Sequence, residues 1–152
     1  MAWNTAITYT KACGIRARCS LQTIIHRDSE TSAMKLPGPD HPITIAKNDN
    51  RVRVTFAGHA IADSTHALTL KEASYKPVFY IPRTDVDMSL LKRTDHQTHC
   101  PYKGDANYFS IVADGSRAEN AVWSYEQPFP AVGEIKEYLA FYPDRVDAID
   151  ET

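Results

Sequence analysis

The chain has 152 residues, of which 43% are hydrophobic and 24% are charged, and its formal net charge is -2. These values are ordinary for one globular domain that buries a single core, so we expect one domain. A run of about 18 apolar residues, which a bilayer-spanning helix needs, is absent from the sequence. The sequence therefore predicts no membrane partner.

Charge is distributed unevenly along the chain. The first 27 residues contain no Asp or Glu but carry four of the 17 Lys and Arg residues, which leaves 13 basic against 19 acidic residues, or -6, for the remainder. A nucleic-acid backbone demands clustered Lys and Arg. The only local basic pair in that remainder, Arg51 and Arg53, alternates with valines as on a solvated strand face. We therefore expect no nucleic-acid partner.

Residues 1–33 differ in composition from the rest of the chain. They are rich in Thr, carry Arg and lack acids as far as Arg27, which is typical of a mitochondrial transit segment. The alternative is that translation starts at Met34 and the upstream stretch is a poorly ordered or mis-assigned extension. We expect 1–33 to be such an extension and 34–152 to form the domain. The localisation is then cytoplasmic, or mitochondrial if residues 1–33 are a transit segment.

Cysteine usage supports a reducing compartment. The three cysteines, Cys13, Cys19 and Cys100, cannot all pair within one chain. We predict that Cys100 is a free thiol.

The first predicted elements are strands. Residues 43–46 and 51–57 alternate β-branched with polar residues, and Gly58-His59 then fits a two-residue hairpin turn. Residues 67–75 alternate again, and 78–81 form a short apolar strand between two prolines.

The second half of the chain continues this pattern. Residues 85–91 fit a single helical turn before a polar run, and Asp114-Gly115 is a strong hairpin signal between the strands 106–113 and 116–126. An apolar stripe at helical spacing predicts a short helix over 131–140, and a last strand follows in 140–150. About eight short strands and one short helix indicate a mainly β domain with antiparallel sheets.

Three motifs carry a resemblance to a known family: "YIPR" at 80–83, "THCPYKGDANY" at 98–108 and "ENAVWSYE" at 119–126. Together with the segments around them, from about residue 41 to residue 147, they resemble the domain-of-unknown-function family numbered 427. The resemblance implies a β-tent fold, in which two small antiparallel sheets meet at an angle, as in methionine sulfoxide reductase B and the ligand-binding domain of cereblon. It implies no established activity.

The label nucleotidyltransferase-like, which the family sometimes carries, finds little support in the residues. Such an enzyme needs carboxylates that converge on Mg²⁺, usually beside a Gly-Ser turn that holds phosphate. Asp85 and Asp87 have the spacing, but no Gly-Ser pair precedes them and they fit a surface helical turn. We expect no metal and no cofactor.

The segment 98–111 has three interpretations. Asp95, His96, His99 and Cys100 are all able to bind Zn²⁺, but the chain lacks the two CxxC pairs through which β-tent relatives bind zinc. Alternatively, Cys100 is a nucleophile whose thiolate is favoured by Lys103 or His99.

The third interpretation, which we favour, is a structural corner. Pro101 fixes its own φ, Gly104 permits a left-handed turn, and Asp105 caps the corner before the next strand.

Aromatic residues on neighbouring predicted strands suggest a ligand cleft. The predicted lining combines four aromatic with four polar side chains: Tyr80, Tyr108, Trp123 and Tyr125 with Arg83, Thr98, Lys103 and Asn120. The leading hypothesis is a module that binds an unidentified small molecule, and it requires that Trp123 face an open cavity. The alternatives are a thiol-dependent enzyme that uses Cys100 and a structural or interaction domain.

Overall fold

The computed structural model describes residues 33–152, and this part of the chain is mainly β, as predicted. Its ten strands are β1 (Ile43–Lys47), β2 (Val52–Phe56), β3 (His59–Ser64), β4 (Leu68–Glu72), β5 (Val78–Tyr80), β6 (Leu91–Cys100), β7 (Gly104–Ala113), β8 (Ser116–Ser124), β9 (Leu139–Phe141) and β10 (Ala148–Glu151). Four short 3-10 helices span Arg83–Asp85, Met88–Leu90, Pro130–Ile135 and Pro143–Arg145. The predicted extension lies outside the described residues apart from residue 33.

The strands form three antiparallel sheets. The first sheet has the order β1-β4-β5, the second β10-β2-β3 and the third β6-β7-β8-β9. Ile81 and Leu139 exchange two backbone hydrogen bonds of 2.8 Å each, which join the chain after β5 to the edge strand β9. The first and third sheets are therefore pinned together along one line.

Two hydrophobic cores lie on opposite faces of the third sheet. Successive strand residues point to opposite faces, so Phe109 and its neighbour Tyr108 enter different cores. The first core combines Phe109 and Val122 with Val54 of the second sheet. The second core combines Tyr108 with Leu70 and Tyr80 of the first sheet. Each fully buried side chain of this size contributes about 1.5–3 kcal/mol of hydrophobic stabilisation.

The predicted turns are largely present. Asp114 and Gly115 connect β7 to β8 with φ values of 47° and 76°, which are those of a type I′ turn. In the earlier hairpin, the turn residues are Ala57 and Gly58, with φ values of 50° and 78°. This turn lies one residue before the predicted position. Two other segments differ more from the prediction.

The polar run before Cys100 is a strand, β6, and the predicted C-terminal helix is only a 3-10 helix. Polar side chains on both faces conceal the alternation of β6, because its outer edge has no paired strand within residues 33–152. The stripe Val132, Ile135 and Leu139 is fully buried as expected, but Leu139 lies in β9. Across the described segment no helix has the length and hydropathy that crossing a bilayer would require.

Candidate functional site

An apolar cleft of about 470 Å³ opens where elements of all three sheets converge. Its walls include one pair of residues from each sheet: Val78 and Phe79 from the first, Val54 and Ile149 from the second, and Trp123 and Phe141 from the third. The first and third sheets are joined at Ile81, which itself lines the cleft, and the second sheet contributes Val54 and Ile149 to the walls.

Trp123 is only partly buried, and its indole forms part of the cleft wall. The indole N–H donates to the hydroxyl of Tyr80 at 3.3 Å, and the Tyr80 side chain is almost completely buried. Because this bond occupies its polar N–H, the indole offers the cleft an apolar ring with a polarisable face.

Tyr142 lines the same cleft and connects it to a row of hydroxyl groups. The Tyr142 hydroxyl lies 3.3 Å from that of Tyr108, which in turn lies 3.0 Å from Oγ1 of Thr98. Burial, aided by the bond with Tyr108, raises the pKa of Tyr142 to about 12. The phenol is therefore neutral at physiological pH. The Arg145 guanidinium lies over its ring, 4.6 Å from the centroid.

Two irregularities interrupt the strand pairing of the third sheet, one on each side of β7. Residues 94–96 of β6 lie opposite the single residue Tyr108, and 119–121 of β8 lie opposite the single residue Ser110. Both are β-bulges, which re-aim side chains. Across β7, the Thr94 hydroxyl donates to Oδ1 of Asn120 at 2.6 Å.

The predicted ligand-binding residues fall into three groups. Trp123 lines the cleft and Tyr108 and Thr98 belong to the hydroxyl row, whereas Asn120 lies in the β8 bulge and lines a different depression, beside Asp144 and Arg145. A second group, Tyr80, Tyr125 and Lys103, is buried, and none of its members lines the cleft. The third group is Arg83 alone, which does not line the cleft.

Arg83 lies on the other face of β7, over the ring of Phe109. Its Nη2 donates to Glu126 at 3.0 Å, and Arg93 binds the same carboxylate at 2.6 Å and 3.1 Å. Asn107 adds a bond of 3.2 Å. Arg83 thus belongs to an ion-pair network away from the cleft.

Sequence analysis did not identify Phe79 and Tyr142 as cleft residues. Both lie in predicted strand segments, and the dipeptide Tyr142-Pro143 marks a strand end. Their approach to Trp123 follows from the pairing of β9 with β8 and from the Ile81–Leu139 bridge. No local pattern encodes those contacts.

A comparison with protein families matches residues 44–152 to the family described as Domain of unknown function (DUF427), labelled NTP_transf_9. The chain belongs to the DUF427 family. This match confirms the resemblance carried by the three motifs, over nearly the range expected. A search of curated proteins finds no match.

The two aspartates relevant to the label of this DUF427 domain bind different neighbours. Ser64 Oγ donates to Asp85 at 2.5 Å, whereas Asp87 accepts from the backbone N–H and the hydroxyl of Ser89. Each carboxylate is therefore hydrogen-bonded to a different serine. Within residues 33–152, no group of three or more His, Cys, Asp or Glu side chains is arranged to hold a metal ion.

The segment around Cys100 folds as the turn between β6 and β7, and Gly104 takes a φ of 103° there. Cys100 is partly buried against the second core. The two residues proposed to activate it have other partners: Lys103 donates to Glu72, and the His99 ring lies 2.6 Å from Asp105.

Glu72 also binds His41 at 2.8 Å, and the imidazole of His41 stacks on Tyr102 with centroids 4.0 Å apart. Lys103, Glu72 and His41 thus form a partly buried charge network that ties β4 and the chain before β1 to this turn.

A larger depression of about 710 Å³ lies between residues 117–120 and 144–147. It is more open than the cleft, and its walls carry both charges, from Arg117, Glu119, Asp144, Arg145 and Asp147. Small-molecule sites are usually concave and mostly apolar. The cleft beside Trp123 fits that description better.

Proposed function

We propose that this DUF427 domain is a small-molecule-binding module whose ligand occupies the apolar cleft beside Trp123. The observation that supports the proposal is the position of Trp123: its indole is partly buried and faces a cleft that three sheets build. Had the indole been sealed in the interior, the hypothesis from sequence would have lost its main anchor.

The dimensions and lining of the cleft suit a small organic molecule. Its volume of about 470 Å³ falls within the roughly 300–1,000 Å³ that such sites occupy in proteins. Its walls carry aliphatic and aromatic side chains, which bind apolar surface by releasing water at about 25 cal/mol per Å².

The aromatic walls favour a flat ligand. Trp123 and Tyr142 lie 4.5 Å apart with their rings tilted by 45°, and Phe79 contributes to the wall as well. An aromatic or otherwise planar body can pack against such rings in offset or edge-to-face contact, which adds about 0.5–1.5 kcal/mol beyond area burial.

The test is a fluorescence titration of the full chain. Trp3 and Trp123 are the two tryptophans of the sequence, so Trp3→Phe leaves the indole of Trp123 as the only one. Planar one- and two-ring fragments should change its emission saturably. They should also raise the melting temperature, because a ligand at 100 times its Kd stabilises the native state by about 2.7 kcal/mol.

A pair of matched variants locates the site. Val78→Phe adds a ring inside the cleft, whereas Val112→Phe makes the same change at a half-buried position of β7 outside its walls. Binding should be lost in the first variant and kept in the second. Equal binding by both, or no saturable response to any fragment, would contradict the proposal.

A further inference from the structure

We infer that the ligand of this cleft carries an anionic group and that Lys76 binds it. The inference rests on the proposed function, since it concerns the same cleft, and it goes further by naming the chemical class of the ligand: a planar apolar body with a carboxylate or similar anion at one end.

Two polar side-chain groups of the cleft wall are hydrogen-bonded to buried tyrosines. The Trp123 indole N–H donates to Tyr80. The Tyr142 hydroxyl is bound to that of Tyr108. Among the described residues that line the cleft, the one with a charged side chain is Lys76.

The ammonium of Lys76 forms no ion pair within the described part of the chain. The lysines that form ion pairs within residues 33–152 are Lys47 and Lys103, so Lys76 has no carboxylate partner there. Lys76 is exposed, which keeps its ammonium hydrated while its methylene stem can follow the apolar wall. A ligand anion can reach the ammonium from inside the cleft without burying either charge.

The backbone places Lys76 next to an apolar stretch of the cleft wall. Lys76 directly precedes Pro77 and β5, and three consecutive residues after it, Pro77, Val78 and Phe79, also line the cleft. The cation therefore lies at one end of a continuous apolar wall. That arrangement matches an amphiphilic ligand. A purely apolar ligand would make no use of the Lys76 ammonium.

The experiment uses three probes with one ring system: 1-naphthylacetate, 1-naphthylacetamide and 1-naphthylmethylammonium. Calorimetric titration of the full chain at low ionic strength should give the anion a Kd about 1.5- to 5-fold lower than that of the neutral amide, the range expected for an exposed ion pair. The cation should bind more weakly than the amide. Added salt should reduce the differences, because it screens exposed charges.

The variant Lys76→Met keeps an apolar stem and removes the charge, so it should equalise the anion and the amide without weakening the amide. Lys71→Met removes an exposed lysine of β4 that does not line the cleft, and it should preserve the preference.

The outcomes separate the two proposals. If no probe binds, the cleft proposal itself fails. If all three bind equally, the cleft binds ligands but the inference about charge is overturned. A preference for the anion that survives in Lys76→Met would overturn the assignment to Lys76.

Discussion

The ring centroids of Trp123 and Tyr142 lie 4.5 Å apart, and each of the two side chains contacts a different buried tyrosine. Trp123 donates to the hydroxyl of Tyr80, and Tyr142 is bonded to the hydroxyl of Tyr108. The wall of the cleft is thereby fixed to the second core through two hydrogen bonds. A ligand would meet a prearranged surface, which reduces the entropic cost of binding.

The bond between Trp123 and Tyr80 should appear as an energetic coupling. Trp123→Phe leaves the buried Tyr80 hydroxyl without the indole donor, at a cost of about 1–3 kcal/mol in addition to lost packing. Once Tyr80→Phe has removed that hydroxyl, Trp123→Phe should cost less by this same amount, about 1–3 kcal/mol. Urea unfolding of both single variants and the double variant measures the coupling. Strict additivity would show that the bond contributes nothing.

The charge network at the turn should make stability depend on Glu72 and on pH. Burial alone would raise the pKa of Glu72, but the hydrogen bonds from Lys103 and His41 outweigh it and leave the pKa below its ordinary value of 4.5. A depressed folded-state pKa means that the stabilisation is complete above the unfolded-state pKa, and that it is lost as pH falls through the folded-state value.

Glu72→Gln should therefore destabilise the protein by about 3 kcal/mol at pH 7, since it leaves Lys103 buried without its counter-charge. The difference from the native chain should shrink as pH falls below about 4. Urea midpoints at pH 7 and pH 3 measure it. Glu119→Gln, at an exposed carboxylate paired with Arg117, should move the midpoint hardly at all. A Glu72 effect independent of pH would contradict the assignment.

Local sequence patterns predicted much of this fold. Alternation located most of the strands, and the pair Asp114-Gly115 located a hairpin, because both signals depend on nearest neighbours. The strand β6 was missed, since an exposed edge strand needs no apolar alternation. The segment 131–140 has a helical stripe. Leu139 nevertheless lies in β9 and pairs with Ser124 of β8, because tertiary pairing overrides local propensity.

The candidate site was less predictable than the fold. The sequence pointed to Trp123 as the anchor and grouped Arg83 with it. Arg83 lies over Phe109 and not in the cleft, and a single sequence does not show which face of the sheet each side chain occupies. The partners Phe79 and Tyr142 reach Trp123 through pairings distant in sequence. Such contacts are a property of topology and not of local periodicity.

The bulge at Asn120 should be sensitive to the choice of residue. Asn120 has a φ of 47°, and its side chain accepts from Thr94. Asn120→Ala loses the bond and places an alanine in the left-handed region, whereas Asn120→Gly loses the bond alone. The glycine variant should be more stable than the alanine variant by about 1 kcal/mol. Urea unfolding of the two variants measures this difference. Equal stability of the two Asn120 variants would exclude a backbone effect.

The turn that carries Lys103 should depend on glycine at position 104. Gly104 has a φ of 103°, which residues with a side chain rarely adopt, and a Cβ there would lie 3.4 Å from the carbonyl oxygen of Gln127. Gly104→Ala should cost about 1–3 kcal/mol, because it holds an alanine at a strained backbone conformation while its Cβ makes only an ordinary contact. Gly38→Ala is the matched control: nothing lies within 4 Å of its added Cβ and its φ is not left-handed. The control should change the urea midpoint little, and a similar loss in both variants would show that the strain at Gly104 is not the cause.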